Sequence, residues 1–298
     1  MSLATPGAEP AGAPAIASEP AAFADAWRMF CANRAAVAGL AVLLGIVAMT
    51  VIGPLVYRVD PFAIVGAPLL SPGAAGAPLG TDYLGRDILA GIIGGGRASL
   101  IVGASAAALT MLIGITIGAL AGFYGGWVDQ LLMRVTEFFQ VLPPLLMAMA
   151  LVTLFSPSLA TVAVAIGIVS WTAAARLTRA EFMRIRNLEY VQAARSIGAP
   201  NRRLIWRVIL PNALPPLIVS ATLTVGIAIL FESGLSFLGL GDPNVMSWGL
   251  MIGNNRAYML DAWWTATIPG IAIFLTVLSI SLIGDGLNEA LNPRLRRR

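Results

Sequence analysis

The sequence predicts an all-α membrane protein with six transmembrane helices. Its 298 residues are 58% hydrophobic and only 11% charged, whereas about a quarter of the residues in a soluble domain are charged. Uncharged runs longer than the roughly 20 residues that span a bilayer recur along the chain. These runs cover residues 35–57, 98–128, 138–175, 208–231 and 262–284.

The third run is too long for a single span. It contains the sequence Ser156-Pro157-Ser158 near its middle. A turn at this Pro-Ser sequence divides the run into two spans of ordinary length. The predicted number of spans therefore rises from five runs to six helices.

The arginines orient these helices, because cytoplasmic loops carry the excess of positive charge. All 19 basic residues are arginine. With both termini in the cytoplasm, 15 of the 19 fall in cytoplasmic segments, and eight of those lie within residues 176–211. The opposite orientation would reverse this ratio, so we predict that both termini are inside.

The composition also divides the chain along its length. Residues 1–25 are rich in Ala, Pro, Gly and Ser, and we expect a disordered cytoplasmic tail there, without the positive start of a signal peptide. Residues 26–57 hold a short interfacial segment and the first transmembrane helix, and residues 58–97 form an external loop. Residues 98–298 form the membrane core, with five transmembrane helices and a cytoplasmic loop at 176–211.

Several functions are excluded by missing residue types. The chain has no lysine, so it lacks the Lys that a Walker A phosphate loop requires. It has no histidine either, which removes the commonest metal ligand and general base. The single cysteine, Cys31, cannot form an internal disulfide. The net charge of +4 reflects topology and anionic inner-leaflet lipid rather than nucleic acid.

The cytoplasmic loop predicts a docking element. An apolar residue recurs at every third position, which predicts a helix over residues 181–197. Gly198 follows it, where a left-handed helix C-cap favours glycine. The small side chains of Ala193 and Ala194 would let a partner surface approach closely. A second helix is predicted from Pro200 to residue 210, and we expect the prolines at 211, 215 and 216 to mark the start of the fifth span.

This loop resembles the loop motif of bacterial ABC importer permeases. The matching order is Gln192-Ala193-Ala194, then Gly198, then Val208-Ile209-Leu210-Pro211. Two positions depart from the family pattern, since Gln192 stands for Glu and Val208 for Ile. An acid, Glu189, lies one turn before Gln192.

Further motifs are similar to the second permease of dipeptide, oligopeptide and nickel importers. They are Leu79-Gly80-Thr81-Asp82-Tyr83-Leu84-Gly85-Arg86-Asp87, Leu235-Ser236-Phe237-Leu238-Gly239-Leu240-Gly241, Ser247-Trp248-Gly249, Gly284-Asp285-Gly286-Leu287 and Asn292-Pro293-Arg294. The resemblance covers roughly residues 27–296. It implies the type I ABC importer permease fold, with a cytoplasmic coupling helix, in the bacterial inner membrane.

The resemblance also implies partners and a role. We expect a non-catalytic subunit that forms half of the pathway for di- or oligopeptides, together with a second, homologous permease. Two ATPase subunits would use ATP-Mg, and an external solute-binding protein would deliver substrate; this chain would bind no cofactor directly. The expected ATPase-coupling residues are Glu189, Gln192, Ala193, Ala194, Gly198, Leu210 and Pro211.

Two other sites keep two interpretations each. Asp82, Arg86 and Asp87 either contact the binding protein or an external gate, or they start a helix with Thr81 or Asp82 as the N-cap. Glu232, near the outer end of the fifth span, makes interfacial or inter-helix hydrogen bonds, or else it lines the pathway.

Other classes of membrane protein fit less well. An ion-driven secondary transporter would show intramembrane acids or histidines and repeated broken helices, and this chain has spans almost free of charge. A channel would show charged or carbonyl-lined constrictions, and an intramembrane protease a Ser–His or paired-Asp arrangement. Within the importer class, nickel complexes and other small solutes remain alternatives to peptides.

Overall fold

The computed structural model describes residues 19–74 and 76–291. These residues form helices joined by loops. The only β pairing among them is three isolated bridges. The helices are α1 (Glu19–Ala32), α2 (Arg34–Val56), α3 (Ile88–Tyr124), α4 (Gly126–Val141), α5 (Pro144–Phe155), α6 (Leu159–Arg186), α7 (Glu189–Ser196), α8 (Asn201–Arg203), α9 (Leu210–Phe237), α10 (Trp248–Asn255) and α11 (Trp264–Leu291).

Five helical segments in the described residues are long and apolar enough to cross a membrane. The count is six if α4 and α5, which meet at a bend of 86°, together form one span. This agrees with the six predicted helices. The predicted turn at 156–158 is confirmed, since α5 ends at Phe155 and the Ser158 side chain caps α6. The bend between α4 and α5 was not predicted; it lies at Pro143 and Pro144, where proline disfavours helix in the preceding residue.

Two helices, α1 and α2, open the described part of the chain. The predicted disordered tail, residues 1–25, lies outside the described residues up to residue 18, and residues 19–25 are already part of α1. Asn33 separates α1 from α2, and its side chain accepts from the Ala36 amide. Phe30 and Ala36 pack with Ala290 of α11, so α1 lies against the end of the last span.

The external loop is shorter than the predicted 58–97, because α3 starts at Ile88. Asp87 caps this helix, with its carboxylate accepting from the Leu89 amide. The glycines at positions 94–96 lie inside the helix. A Cβ at Gly96 would stand 2.7 Å from the Trp248 ring, so the missing side chain lets α10 pack directly on α3. At the other end α3 stops at Tyr124 rather than at residue 128, because Gly125 adopts a left-handed φ of 67°.

The helix α3 packs closely against α6 through glycines on α3. Gly114, Gly118 and Gly122 are spaced four residues apart on α3, which places them along one side of the helix. A Cβ at Gly122 would approach the Arg179 carbonyl to 2.7 Å. Small residues at this spacing let transmembrane helices approach closely, so α3 and α6 form a rigid pair.

The predicted helix over 181–197 is wrong in its bounds. Residues up to Arg186 continue α6, the chain then turns at Asn187 and Leu188, and α7 begins at Glu189. The Arg186 guanidinium contacts the end of α3 and fixes the end of α6 before this turn. We call the end of the molecule that carries α7 the inner end, and the end that carries α10 the outer end.

The second helix and the fifth span, predicted as separate elements that meet at Pro211, form one continuous helix. Helix runs without interruption over Asn201–Phe237, through Pro211, Pro215 and Pro216. A π turn, Leu204–Ile209, precedes the first proline; such wider turns accommodate a disturbed hydrogen-bond ladder. The Asn212 side chain donates to the Val208 carbonyl at 2.7 Å, one turn earlier on the same helix.

Candidate functional site

The short helix α7 exposes one side and buries the other. Gln192 and Ala193 are exposed, whereas Val191 is completely buried. Val191 belongs to an apolar cluster with Phe182 and Ile185 of α6, and with Leu204 and Ile209 of the π turn. The predicted apolar stripe is thus only partly buried. Its members at 188 and 197 face solvent, with Ile197 86% exposed. The exposed side of α7 is therefore accessible to a partner surface.

Gly198 ends the α7 segment as predicted. Its φ is 85°, in the left-handed region that glycine adopts without steric cost. Its amide donates to the Arg195 carbonyl and the Ala199 amide donates to the Ala194 carbonyl, at 3.0 and 3.1 Å. No atom lies within 4 Å of a Cβ placed on Gly198. The described chain therefore leaves open space at this position.

Hydrogen bonds at Arg186 join α7 to the spans. The Arg186 guanidinium donates to the carbonyl oxygens of Gly122 and Phe123 at 2.9 and 3.0 Å. The Gln192 amide nitrogen donates to the Arg186 carbonyl at 3.0 Å. The Arg195 guanidinium lies over the Phe123 ring, 5.8 Å from its centre. These contacts connect α7 to the ends of α3 and α6.

The remaining predicted coupling residues lie around this helix. Glu189 is exposed in the first turn of α7, where an acid is favoured by the helix dipole. Leu210 packs on the same apolar cluster as Val191, and Pro211 is exposed beside it. The structure therefore gathers the predicted residues at the inner end, and their coupling role stays a prediction.

The sequence analysis did not identify two arginines of α6, Arg179 and Arg186, that contact α4 and α3 near the inner end. Arg179 of α6 forms a bidentate ion pair with Asp129 of α4, and the second of its two contacts measures 2.6 Å. Arg186 makes the carbonyl contacts described above. Both had been counted only as positive charges in a cytoplasmic loop. Their partners lie 50 and 64 residues away in the sequence, so only the spacing of arginines at one helix end could have pointed to them.

Asp82, Arg86 and Asp87 lie at the outer end, inside a folded loop. The Asp82 carboxylate accepts from the amides of Leu84 and Arg86, both at 2.8 Å. Burial raises the pKa of Asp82, although these amides and the Arg86 charge oppose that shift. Asp87 caps α3, so the predicted N-cap at Thr81 or Asp82 is wrong. A role of the three residues in an external gate stays a prediction.

The loop is fastened to neighbouring helices around this cluster. The Tyr57 hydroxyl donates to Asp87, and burial together with this carboxylate raises the pKa of Tyr57 to about 12. The Asn255 side chain accepts from the Tyr83 amide at 3.1 Å, at the end of α10. The Arg86 guanidinium lies over the Phe62 ring, 5.1 Å from its centre. The loop is thus an ordered cap over the outer end.

Glu232 is buried, with 1% of its surface exposed. Its carboxylate accepts from Ser236 on the same helix at 2.8 Å and from Ser99 of α3 at 3.1 Å. The Ser99 hydroxyl in turn accepts from the Trp248 amide at 3.4 Å, at the start of α10. These contacts are the inter-helix hydrogen bonds of the first interpretation. A pathway role for Glu232 stays a prediction.

Comparison with protein families matches two parts of the chain. Residues 114–297 match the family of binding-protein-dependent transport system inner membrane components. Residues 22–74 match the N-terminal TM domain of oligopeptide transport permease C.

Individual relatives agree with these matches. The di/tripeptide transport system permease protein DppC of Pseudomonas aeruginosa is 42% identical over 284 residues, which cover 93% of this chain and 94% of the relative. The dipeptide permease DppC of Bacillus subtilis is 41% identical, with 92% and 86% covered. The glutathione transport system permease protein GsiD of Pectobacterium atrosepticum is 39% identical, with 91% and 90% covered.

Among solved structures, the fold is similar to a chain of the MetNI methionine ABC transporter in inward-facing conformations. The TM-score is 0.55 at 17% identity, and the match covers 68% of this chain and 96% of that one. At this identity the likeness supports the type I ABC importer permease fold. With two family matches and relatives near 40% identity, the chain belongs to the family of binding-protein-dependent transport system inner membrane components.

Proposed function

We propose that this chain is the subunit through which two ATPases drive the uptake of di- or oligopeptides across the inner membrane. It forms half of the pathway, and a second, homologous permease forms the other half. An external solute-binding protein delivers the peptide, and the ATPase subunits bind and hydrolyse ATP-Mg. The observation that carries this proposal is a helix, α7, exposed on one side and attached to three transmembrane helices on the other.

The attachment suggests how force passes from the ATPases to the pathway. A groove on one ATPase receives the exposed face of α7, which includes Gln192 and Ala193. When the ATPases close on ATP, α7 moves with them. Buried Val191 pushes on α6 and on the start of α9, while Arg186 pulls on the end of α3. Rigid-body movement of these spans alternates access between the two sides.

Peptides are the favoured substrate because of the relatives' own described cargo. Those relatives transport dipeptides, di/tripeptides, oligopeptides and glutathione, all of which carry peptide bonds. The described transmembrane surface offers few charged groups, so the binding protein performs most of the selection. Nickel complexes and other small solutes are the alternative cargo.

Two measurements on the native protein test this proposal. The tagged chain is purified from its own membranes in mild detergent, and the partners are identified by mass spectrometry. We expect a second permease, two ATPases and a peptide-binding protein in fixed ratio. Uptake of a radiolabelled dipeptide and of nickel is then compared in cells with and without the gene. Loss of nickel uptake alone would replace the peptide assignment, and recovery of this chain without ATPases would overturn the importer assignment.

A further inference from the structure

A basic surface at the inner end is not used by the proposed coupling. It surrounds an open cavity of about 730 Å³ and consists of Arg202, Arg203, Trp206 and Arg207, beside Pro200. We call these four residues the basic face. All four are exposed, and 61% of the Trp206 surface is accessible. The ion pairs found among the described residues lie on α4 and α6, so the basic face presents three positive charges outward.

The helix geometry gathers these side chains on one side. Arg202 and Trp206 are four residues apart, as are Arg203 and Arg207, and residues at this spacing are neighbours on a helix surface. The π turn Leu204–Ile209 contains the second residue of each pair. Because such a turn is closed by bonds between residues five apart, it also brings Arg207 toward Arg202. The result is a compact cluster rather than a spiral of charges.

The basic face lies at the depth of lipid headgroups. Between Arg207 and Glu232 the chain has 24 uncharged residues, about 36 Å of helix at 1.5 Å per residue. The hydrocarbon core is about 30 Å thick. With Glu232 near the outer boundary, Arg207 and Trp206 lie about 6 Å beyond the inner boundary, on its cytoplasmic side. Tryptophan is enriched at this level, and basic clusters there attract anionic lipid.

A row of apolar side chains continues from the basic face. Leu210, Leu214 and Ile218 follow Trp206 at intervals of four residues, so they lie in one row up the helix. Leu214 and Ile218 are 40% and 41% exposed. A free phosphate ion or an acidic protein surface would fit the arginines and leave this apolar row unused. A phospholipid uses both parts.

We propose that the basic face and the row above it bind an anionic phospholipid, whose phosphate lies among Arg202, Arg203 and Arg207 and whose acyl chain lies along Leu214 and Ile218. The lipid would hold the start of α9 at a fixed depth beside α7. This inference does not depend on which solute is transported, because its ligand and its readout are separate from uptake.

Native mass spectrometry of the intact transporter tests the site. The protein is titrated with phosphatidylglycerol or with zwitterionic phosphatidylcholine of equal chain length. We expect wild type to retain phosphatidylglycerol selectively. Each replacement of an arginine of the basic face by Gln should weaken this binding about fivefold. Arg134→Gln removes one exposed arginine from α4 and should change nothing.

Three results would overturn the proposal. Equal retention of both lipids would show that the arginines do not select a headgroup. Complete competition by millimolar inorganic phosphate, or equal binding of dihexanoyl phosphatidylglycerol, would assign the cluster to free anions. Unchanged lipid binding in Arg202→Gln/Arg203→Gln/Arg207→Gln, together with loss of the ATPase subunits from the complex, would assign it to an acidic protein surface.

Discussion

The guanidinium of Arg186 donates a hydrogen bond to the main-chain carbonyl of Gly122 at 2.9 Å. This contact joins the last residue of α6 to the last turn of α3, directly behind the helix α7 that faces the predicted ATPase. A main-chain acceptor makes the contact independent of the side chains on α3. The two spans and α7 therefore form one unit, and the first two predictions concern this unit.

Arg186→Gln should uncouple transport from ATP hydrolysis. The change removes two hydrogen bonds from a charged donor, each worth about 1.5–3 kcal/mol. We expect peptide uptake in cells to fall roughly tenfold, while ATPase activity of the purified complex remains. The control is Arg184→Gln, because Arg184 pairs only with Glu181 on its own helix among the described residues. Equal uptake by the two variants would contradict a transmitting role for Arg186.

Gly198→Asp and Ala194→Glu should abolish transport while leaving membrane insertion intact. Gly198 has a left-handed φ, which Asn and Asp tolerate better than other residues with a side chain. The space around it is open, so strain within the chain is small and the added charge acts on the docked partner. Gly198→Asn is the matched neutral control and should keep most of the uptake. Normal uptake by both charged variants would exclude this helix as the coupling element.

Two substitutions of Glu232 distinguish a structural role of this residue from a role in the pathway. Glu232→Gln keeps an acceptor oxygen for one of the hydroxyls of Ser99 and Ser236, and its amide nitrogen can donate to the other hydroxyl oxygen. This change should alter stability by less than about 1 kcal/mol. Glu232→Ala leaves both hydroxyls without this partner and creates a cavity, at a cost of about 2–4 kcal/mol. Thermal unfolding measures stability, and cell uptake measures function. A stable Glu232→Gln protein that transports nothing would favour the pathway role.

The spans were predictable because each consists of an uncharged run with arginines at its inner end. The position of Gly198 was predictable as well, since a left-handed cap is a local requirement. The burial of Glu232 was not, because its partner Ser99 is 133 residues away and hydropathy alone places a glutamate near a span end in water. The continuous helix through Pro211 was also missed, since the π turn before this proline is not visible in a pattern of prolines.

Asp82 should make the stability of the outer loop depend on pH. Burial raises its pKa above the ordinary value of 3.8, so the folded protein holds this proton more tightly than the unfolded chain. The resulting stability is complete below the ordinary pKa and is lost as the pH rises through the raised value. Asp82→Asn cannot titrate and should lack this loss. We therefore expect the melting temperature of the variant, minus that of wild type, to increase between pH 4 and pH 7.

Subtracting the two curves cancels the other titrating groups, such as Asp129 beside Arg179, which are common to both proteins. A difference that stays constant over this pH range would mean that Asp82 is ionised in the folded loop with its ordinary pKa. A difference that decreases would reverse the direction of the shift, and would make the amide hydrogen bonds from Leu84 and Arg86 stronger than the effect of burial.

The outer cap was only partly visible in the sequence. The motif around Asp82 was identified by its resemblance, and one interpretation placed a helix start within it. Its attachment depends on Tyr57 and Asn255, which lie on either side of the motif, 30 and 172 residues from their respective partners Asp87 and Tyr83. Such contacts follow from the packing of α10 on α3 through glycines, and the pattern of glycines alone does not specify a partner helix.

Cross-linking from α7 tests whether this helix contacts an ATPase subunit. With the single native cysteine removed by Cys31→Ser, Ala193→Cys places one thiol on the exposed side of α7. Leu260→Cys places one at the outer end, where Leu260 is 99% exposed. In native membranes, a short thiol-to-amine cross-linker should join position 193, and not position 260, to an ATPase subunit. Reaction of the thiol at 193 with impermeant maleimide from outside the cell would contradict the cytoplasmic position of α7. A thiol at 193 that is accessible from the cytoplasm but forms no ATPase adduct would contradict the docking of α7 on the ATPase.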